Sequence, residues 1–498
     1  MPLPVSLYLA EQVRELDRLA IRQEGLGDGQ LMERAGEAAY GLLRHRWPRA
    51  RRLAVVCGPG NNGGDGYVLS RLAMAEGFLV RLLSLGDLLR QQDDALAARK
   101  AFEQSGGVIS PFDAAALADC DLVVDAIFGT GLESEVVGEF ADAIAAINGS
   151  RLPVLALDIP SGLHTDRGVA LGTAVEASET LCFVGLKAGM LTADGPDYCG
   201  RLRFDSLGIP DAVYQQVEPY ATRINGMQLD SLFPPRRRNS HKGDYGRVLI
   251  VGGGPGMAGA ARLAGEAALY CGAGLVQVAT HPEHANTLSA ARPELIVHGV
   301  SNDRQLKVLM QSADVLALGP GLGQSDWAKS LLATVLESGL PKVLDADGLR
   351  LLAVDPVYNE DWVLTPHPGE AAALLDTGTA EVQADRFRHA DAIAKQYGGV
   401  CVLKGCGSIV AADKIRRVCA CGNPALATAG SGDLLTGAVA AFAAQGLSLV
   451  DAAAAAVWVH GHAADVIARN GERGWLASEF LPAMRNALHH LETKTDER

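Results

Sequence analysis

Residues 423–437 read NPALATAGSGDLLTG, a Gly-Ser-Gly-Asp turn set directly before an apolar helix and lacking the lysine of a P-loop. A helix that starts there leaves its first backbone N–H groups without intrahelical partners. It also turns its positive dipole end toward whatever lies above Gly430, Ser431 and Gly432. The turn is therefore expected to hold an anion. A carboxylate at Asp433 stands where a general base takes the proton of a hydroxyl attacking a terminal phosphate. The plainer reading makes it a glycine turn capping a core helix, with Asp433 as a first-turn acid. The neighbouring motifs tip the balance toward chemistry.

Working outward, 498 residues exceed one ordinary core and imply two to four domains. With 48% hydrophobic and 20% charged residues, each part can bury a core of its own. A net charge of −14 argues against nucleic-acid or acidic-membrane partners, which need a cationic face. An anionic small molecule must then be held by local dipoles and a few lysines. Nine cysteines without a C-x-x-C pair read as reduced thiols, and no zinc site is suggested. The N-terminal stretch lacks the basic and apolar blocks of a signal peptide, and no apolar run reaches the ~20 residues that span a bilayer. A soluble, cytoplasmic protein is expected.

From residue 53 short β-rich runs alternate with helical stretches: LAVVC followed by a helix from about Tyr67, then VRLLSL, DLVVDAIF, PVLALDIP and ETLCFVG. After Phe204 the periodicity fades. The stretch 219–240, with Pro234, Pro235 and Arg236 to Arg238, reads as a linker. A second alternation runs from RVLIVGG at 247 through LVQVAT, DVLALGPG, PKVLDADG, DWVLTPHPGE and GVCVLKGCGS. Strand and helix in alternation predict parallel sheets covered on both faces, so the expected architecture is α/β: two tandem three-layer domains, at 1–218 and 241–498. Alanine-rich segments near the C-terminus suggest exposed apolar helix faces, and hence a homo-oligomer.

Each half opens with a strand and G-x-G-x-x-G, at Gly58, Gly60, Gly63 and at Gly254, Gly256, Gly259. This is a weak dinucleotide signal, although Asp87 after the next strand leaves such a role open in the first half. The first copy lies within GPGNNGGDG, where Asn61, Asn62 and Asp65 crowd the turn with polar groups that a pyrophosphate loop does not need. Asp125 and Asp158 each end an apolar strand, so both carboxylates are expected close together over the sheet edge. With Asn61 and Ser161 they suggest a small cation site of oxygen ligands or an acid/base centre, against loop capping for either acid alone. Lys187 follows another strand and reads more simply as an exposed lysine than as a phosphate ligand.

GPGNNGGDG, VVDAIFGTGL and LALDIPSGL resemble the NAD(P)HX epimerase domain, which is Rossmann-like. HKGDYGRVLIVGG, GPGLG, DADGL, TPHPGE, LKGCGS and AGSGD resemble the ADP-dependent NAD(P)HX dehydratase domain of the ribokinase-like fold. They occur in the order of the bifunctional bacterial enzymes. The resemblance implies repair of reduced nicotinamide dinucleotides hydrated across a ring double bond. The R and S hydrates are epimerised, and the S form is dehydrated with ADP as co-substrate, releasing AMP and phosphate.

By position, the resemblance makes Asp433 the base, with Gly430, Ser431 and Gly432 on the transferring phosphate. Lys404, Gly405, Cys406, Gly407 and Ser408 hold the nucleotide, Gly321 and His367 the hydrate, and Mg²⁺ bridges the phosphates. In the first domain Asn61, Asn62, Gly63, Gly64 and Asp65, with Gly129, Thr130, Gly131 and Leu132, line the substrate site. Asn61, Asp125 and Ser161 hold K⁺, and Asp158 transfers the proton. One departure is Ala464 in VHGHAAD, where the family pattern usually carries glycine. A sugar or vitamin kinase leaves GPGNNGGDG unexplained. A dehydrogenase leaves the Asp433 turn idle, and a nucleotide sensor predicts binding without turnover.

Overall fold

The run RLAVVC forms strand β1 (Arg52–Cys57), buried at every residue after Arg52, as a parallel strand covered on both faces must be. The structure is a computed structural model that describes residues 3–25, 29–88, 91 and 93–493. The chain divides into two units, Met1–Thr222 and Arg223–Arg498.

In the first unit β1 is joined by β2 (Leu79–Ser84), β3 (Ile109–Pro111), β4 (Leu122–Ala126), β5 (Val154–Leu157), β6 (Glu179–Phe183) and β7 (Arg201–Asp205). The sheet is parallel throughout, in the order β3-β2-β1-β4-β5-β6-β7. Leu53, Val55 and Cys57 face one buried cluster, with Leu16, Leu43 and Tyr67 of the helices; Ala54 and Val56 face another, with Ile144 and Ile147. The result is three layers. The chain leaves β1 toward β3, then sets off the other way from β4, so a crevice opens beyond the C-terminal ends of β1 and β4.

The second unit repeats the logic with β8 (Arg247–Val251), β9 (Leu275–Thr280), β10 (Ile296–Gly299), β11 (Val315–Leu318), β12 (Lys342–Leu344), β13 (Trp362–Leu364) and β14 (Val400–Leu403). These are parallel in the order β10-β9-β8-β11-β12-β13-β14, and β15 (Ser408–Ala412) and β16 (Ile415–Cys419) extend the edge antiparallel. The switch point lies between β8 and β11. There Gly254 donates its N–H to the Gly321 carbonyl at 2.7 Å, and Gly253 donates to Pro320 at 3.0 Å.

Three expectations need correction. The helix after β1 spans Asn61–Ala75 rather than beginning near Tyr67. Its glycines let the first turns lie against the sheet, since a Cβ on Gly66 would meet Cys57 and Ala126 and one on Gly63 the Gly58 carbonyl. The stretch 219–240 is partly folded: it holds a strand at Ala221–Ile224 and helical turns at Gly226–Leu229 and Asp230–Leu232. Ile224, Leu229 and Phe233 sit in the second unit's core, which is why this segment folds despite its prolines and arginines. Finally, the alanine-rich helices Ser431–Ala444 and Leu449–Ile467 are largely buried within their own unit, so they supply no free face for self-association. Among the described residues no helix is long and apolar enough to cross a membrane.

The helix Ser431–Ala444 packs on the helix Ala258–Tyr270 at a distance only glycine permits. A Cβ on Gly437 would lie 2.0 Å from the Ala264 carbonyl oxygen. Gly437→Ala is therefore expected to destabilise the second unit by about 1–3 kcal/mol, the range for overpacked cores. Urea unfolding followed by a probe in each unit should show the second transition shifted and the first unchanged.

Candidate active sites

In the first unit the sheet edge gathers an acid cluster around a cavity of about 670 Å³. Asp17, Asp65, Asp158, Asn62 and Gly129 are among its walls. Asp158 follows β5 with a left-handed backbone (φ 64°), a strained conformation for a residue with a side chain. Its N–H donates to Leu181 at 2.8 Å, and its Oδ1 accepts from the Phe183 N–H at 3.2 Å and from Lys187 Nζ. Lys187, expected at the surface, is fully buried. Its ammonium also donates to the Phe183 carbonyl at 3.0 Å and contacts Cys182 Sγ at 3.3 Å. Burial pushes this ammonium down, but the Asp158 and Cys182 charges outweigh it and raise its pKa overall.

Two more carboxyls complete the cluster. Burial, aided by Asp158 and Asp17, drives Asp65 well above the carboxylate range. Asp17 comes from the helix Ala10–Glu24 and is pushed up to about 6, chiefly by burial and with Lys187 opposing. Its Oδ1 is buried without a hydrogen-bond partner among the described residues. Nothing singled Asp17 out in sequence, where it looks like one more polar residue of an amphipathic helix.

Asp125 and Asp158 do not form a single carboxylate pair. Asp125 turns to the 159–162 loop: its Oδ1 accepts from Ser161 Oγ at 2.6 Å and from the Ile127 N–H at 3.2 Å, and its Oδ2 accepts from the Ser161 N–H at 2.8 Å. Burial raises its pKa to about 6 against those bonds. The Phe128 N–H donates to Ser161 Oγ at 2.8 Å, and Asn62 Nδ2 donates to the Phe128 carbonyl at 2.8 Å. Asn61, expected in the cation site, is exposed. Asn62 is the buried amide, and its Oδ1 has no partner among the described residues. The reason is helical phase, since the second residue of the Asn61–Ala75 helix points at the 127–128 loop.

In the second unit Asp433 sits in the first turn of Ser431–Ala444, whose N-cap, Gly430, has φ 90°. Beside it Lys404, at the end of β14, pairs with Asp345 Oδ1 at 2.7 Å and approaches Glu370 Oε2 at 3.7 Å. Asp345 Oδ2 accepts from Thr436 Oγ1 at 2.7 Å, and Gly323 N–H donates to Asp347 Oδ2 at 2.8 Å. Burial pushes Asp433 up to about 7, with Asp345 adding to the shift and Lys404 opposing it. Ser431 Oγ lies 3.2 Å from Nε2 of His460, whose pKa is lowered to about 4 by burial and by Lys404, which leaves the ring neutral.

The nucleotide-loop candidates lie between β14 and β15. Gly405 (φ 135°) crosses directly over the buried Arg386 guanidinium, which donates to the Leu403 and Lys404 carbonyls at 3.2 Å each. His367 is half exposed and caps the helix Pro368–Leu375, its Nδ1 accepting from Gly369 and Glu370 N–H at 3.0 and 3.2 Å. Sequence reasoning gave no role to Asp345, Glu370, Thr436, His460 or Arg386. The DADGL and TPHPGE motifs carried the first two in plain view. Ala464 is fully buried in Leu449–Ile467, and neighbouring Asp465 still accepts the Gly422 N–H.

A carboxylate at a helix N-terminus, over a parallel sheet with a half-buried lysine alongside, defines the second unit as a ribokinase-like phosphoryl-transfer domain. The first unit is a Rossmann-like α/β domain. Residues 248–485 match the NAD(P)H-hydrate dehydratase family, and residues 28–189 match the YjeF-related protein N-terminus family. The bifunctional NAD(P)H-hydrate repair enzyme of Coxiella burnetii is 47% identical, over 96% of this chain and 98% of the relative. That of Escherichia coli K12 is 43% identical over 98% and 95%. The ADP/ATP-dependent NAD(P)H-hydrate dehydratase of Bacillus subtilis, crystallised with ATP and Mg²⁺, superposes with TM-score 0.51 at 28% identity. The match spans 54% of this chain and 98% of that one. The chain belongs to the bifunctional NAD(P)H-hydrate repair enzymes.

The Asp433 environment has a consequence for stability. Its folded pKa of about 7 lies above the ordinary carboxyl value of 3.8, so the folded state binds this proton more tightly than the unfolded chain does. This contribution to stability is present below pH 3.8 and is lost as pH rises through about 7. Asp433→Asn removes the loss, so thermal melting should find the variant's second unit more stable than the parent's at about pH 8, with the gap closing toward about pH 4.

Proposed function

We infer that the chain repairs hydrated NADH and NADPH, exchanging the R and S epimers in the first unit and dehydrating the S form in the second. The observation that carries this reading is Asp433, a half-buried carboxylate at the mouth of the Ser431–Ala444 helix beside the Lys404–Asp345 pair. A hydroxyl presented there loses its proton to Asp433 while its oxygen takes the β-phosphoryl group of ADP, and AMP departs. The N–H groups of Gly430, Ser431 and Gly432 receive the negative charge of the moving phosphoryl group. Hydroxide leaves carbon poorly, whereas phosphate leaves well. When the carbon–oxygen bond breaks with its electrons going to phosphate, loss of the neighbouring ring proton restores the double bond.

Lys404, Gly405, Cys406, Gly407 and Ser408 are proposed to hold the nucleotide, and Gly321 with His367 the hydrate. Among the described residues no group of three or more His, Cys, Asp or Glu side chains is placed to bind a metal alone. Asp345 and Asp347 are proposed to hold Mg²⁺ jointly with the nucleotide phosphates, whose charge the ion would offset.

In the first unit, Asn62, Gly63, Gly64 and Asp65 with the Gly129, Thr130, Gly131 and Leu132 loop are proposed to line the substrate site, and Asp158 to move the proton. The Asn62 amide, whose Oδ1 has no hydrogen-bond partner among the described residues, meets the Phe128 carbonyl, which Ser161 Oγ reaches at 3.3 Å while also bonding the buried Asp125, and this set of oxygens fits a hard monovalent cation. K⁺ there would offset the Asp125 charge, with Asn62 taking the place first given to Asn61. The acidic chain favours small-molecule partners over nucleic acid. A cytoplasmic location is supported by nine cysteines, none of them in a disulfide among the described residues.

The direct test supplies pure S hydrate with ADP. Reduced-nicotinamide absorbance should return with one AMP and one phosphate per turnover, and return with ATP alone would reassign the donor. Asp433→Asn should lower dehydration at least about 100-fold and leave epimer exchange intact; loss of both would count against separate sites. In the parent, kcat/KM for dehydration should rise with pH about a midpoint near the Asp433 value of about 7, because only the carboxylate accepts a proton. Asp158→Asn should slow epimer exchange at least about 100-fold while S-hydrate dehydration continues; unchanged exchange would remove Asp158 from the mechanism.

A further inference from the structure

Lys187 has no place in the reading above, yet it is the most constrained cation of the first unit. It is fully buried at the end of the short strand Leu186–Lys187, and the carboxylate it meets is Asp158. A lysine is rarely taken out of water without a reason, since the charge must be compensated where it lies. Here the compensation is asymmetric. Asp158 Oδ1 takes both the Lys187 ammonium and the Phe183 N–H, while Oδ2 accepts no hydrogen bond among the described residues. Oδ2 faces the cavity: a Cβ on Gly129, one of the cavity walls, would lie 3.8 Å from it. A purely structural acid is expected to bind through both oxygens, as buried Glu179 does with Arg46 and Arg203.

The pair also fixes an unusual backbone. Residue 158 is held left-handed, and its carboxylate stays at that turn because the Phe183 carbonyl and Cys182 sulfur anchor Lys187 from behind. Without the ammonium, Asp158 would face the carboxyls of Asp65 and Asp17 with no cation beside it, and repulsion would turn it away.

We propose that Lys187 is a positioning residue for epimerisation, its buried ammonium clamping Oδ1 of Asp158 so that Oδ2 alone is aimed at the substrate. This rests on the epimerase reading of the first unit. The proton moves to and from Asp158 Oδ2, and Lys187 exchanges none with the substrate.

The test uses the full chain, with S-hydrate dehydration as internal control. Lys187→Met should lower kcat for epimer exchange at least about 100-fold, leave KM within about threefold and leave dehydration unchanged. Lys187→Ala, which does vacate the space of the side chain, should lose kcat likewise, and ethylammonium should restore at least about tenfold of that loss where ethanol of similar size does not. A kcat within threefold of the parent, a loss confined to KM, or equal rescue by ethanol would each overturn the proposal. If Lys187→Met does not accumulate, the pair is removed together. Asp158→Asn/Lys187→Met should then exchange epimers at the residual rate of Asp158→Asn alone, since Lys187 acts only through Asp158. A further tenfold loss in the double variant would overturn it. Failure of the underlying reading looks different: Asp158→Asn would itself leave epimer exchange unchanged.

Discussion

One inward-turned ammonium set against several carboxylates, fully buried at Lys187 and half-buried at Lys404, is the interaction on which each site depends. Parallel sheets gather the ends of many strands at one edge, and in both units acids stand at those ends. Left alone, Asp158, Asp65 and Asp17 in one unit, or Asp345, Glu370 and Asp433 in the other, would repel one another. Lys187 and Lys404 supply the missing charge from inside, each rooted at a strand end. The two lysines sit in different surroundings. Lys404 binds Asp345, which is bonded on both oxygens, and leaves Asp433 raised and poised; Lys187 binds the proposed reacting carboxylate itself.

This arrangement explains how one chain divides two kinds of chemistry. In the second unit the helix dipole and the turn N–H groups of Gly430, Ser431 and Gly432 favour an anion, beside Asp433, the proposed base, whose pKa is raised to about 7. In the first unit acids line a cavity, which suits moving a proton at a neutral carbon centre more than binding a phosphate. The close approach of Gly437 to Ala264 keeps the anion-binding helix seated, so the position of Asp433 is set by packing as much as by polar contacts.

Much of this was legible in sequence. The two alternations of strand and helix, the strand-end acids Asp125 and Asp158, and the Asp433 turn all follow from local pattern. The edge strands Ile109–Pro111 and Ile296–Gly299 escaped because they are short and largely exposed, and thus lack an apolar run. Lys187 was misplaced because periodicity does not reveal whether a strand-end lysine turns inward, a matter decided by Asp158 from another strand. Asn62 was passed over for Asn61 because the start of the helix, and so the phase of its first turn, was read too late. Asp17, His460 and Arg386 enter their sites from elements distant in sequence. Only the assembled fold brings them there.

The central claim is that water leaves the nicotinamide hydrate as part of a phosphate. The most direct measurement is a single turnover with pure S hydrate carrying ¹⁸O in its hydroxyl, quenched before epimer exchange can wash out the label, with mass analysis of the products. The account predicts that the label appears in inorganic phosphate. Label recovered in water, with phosphate unlabelled, would contradict it.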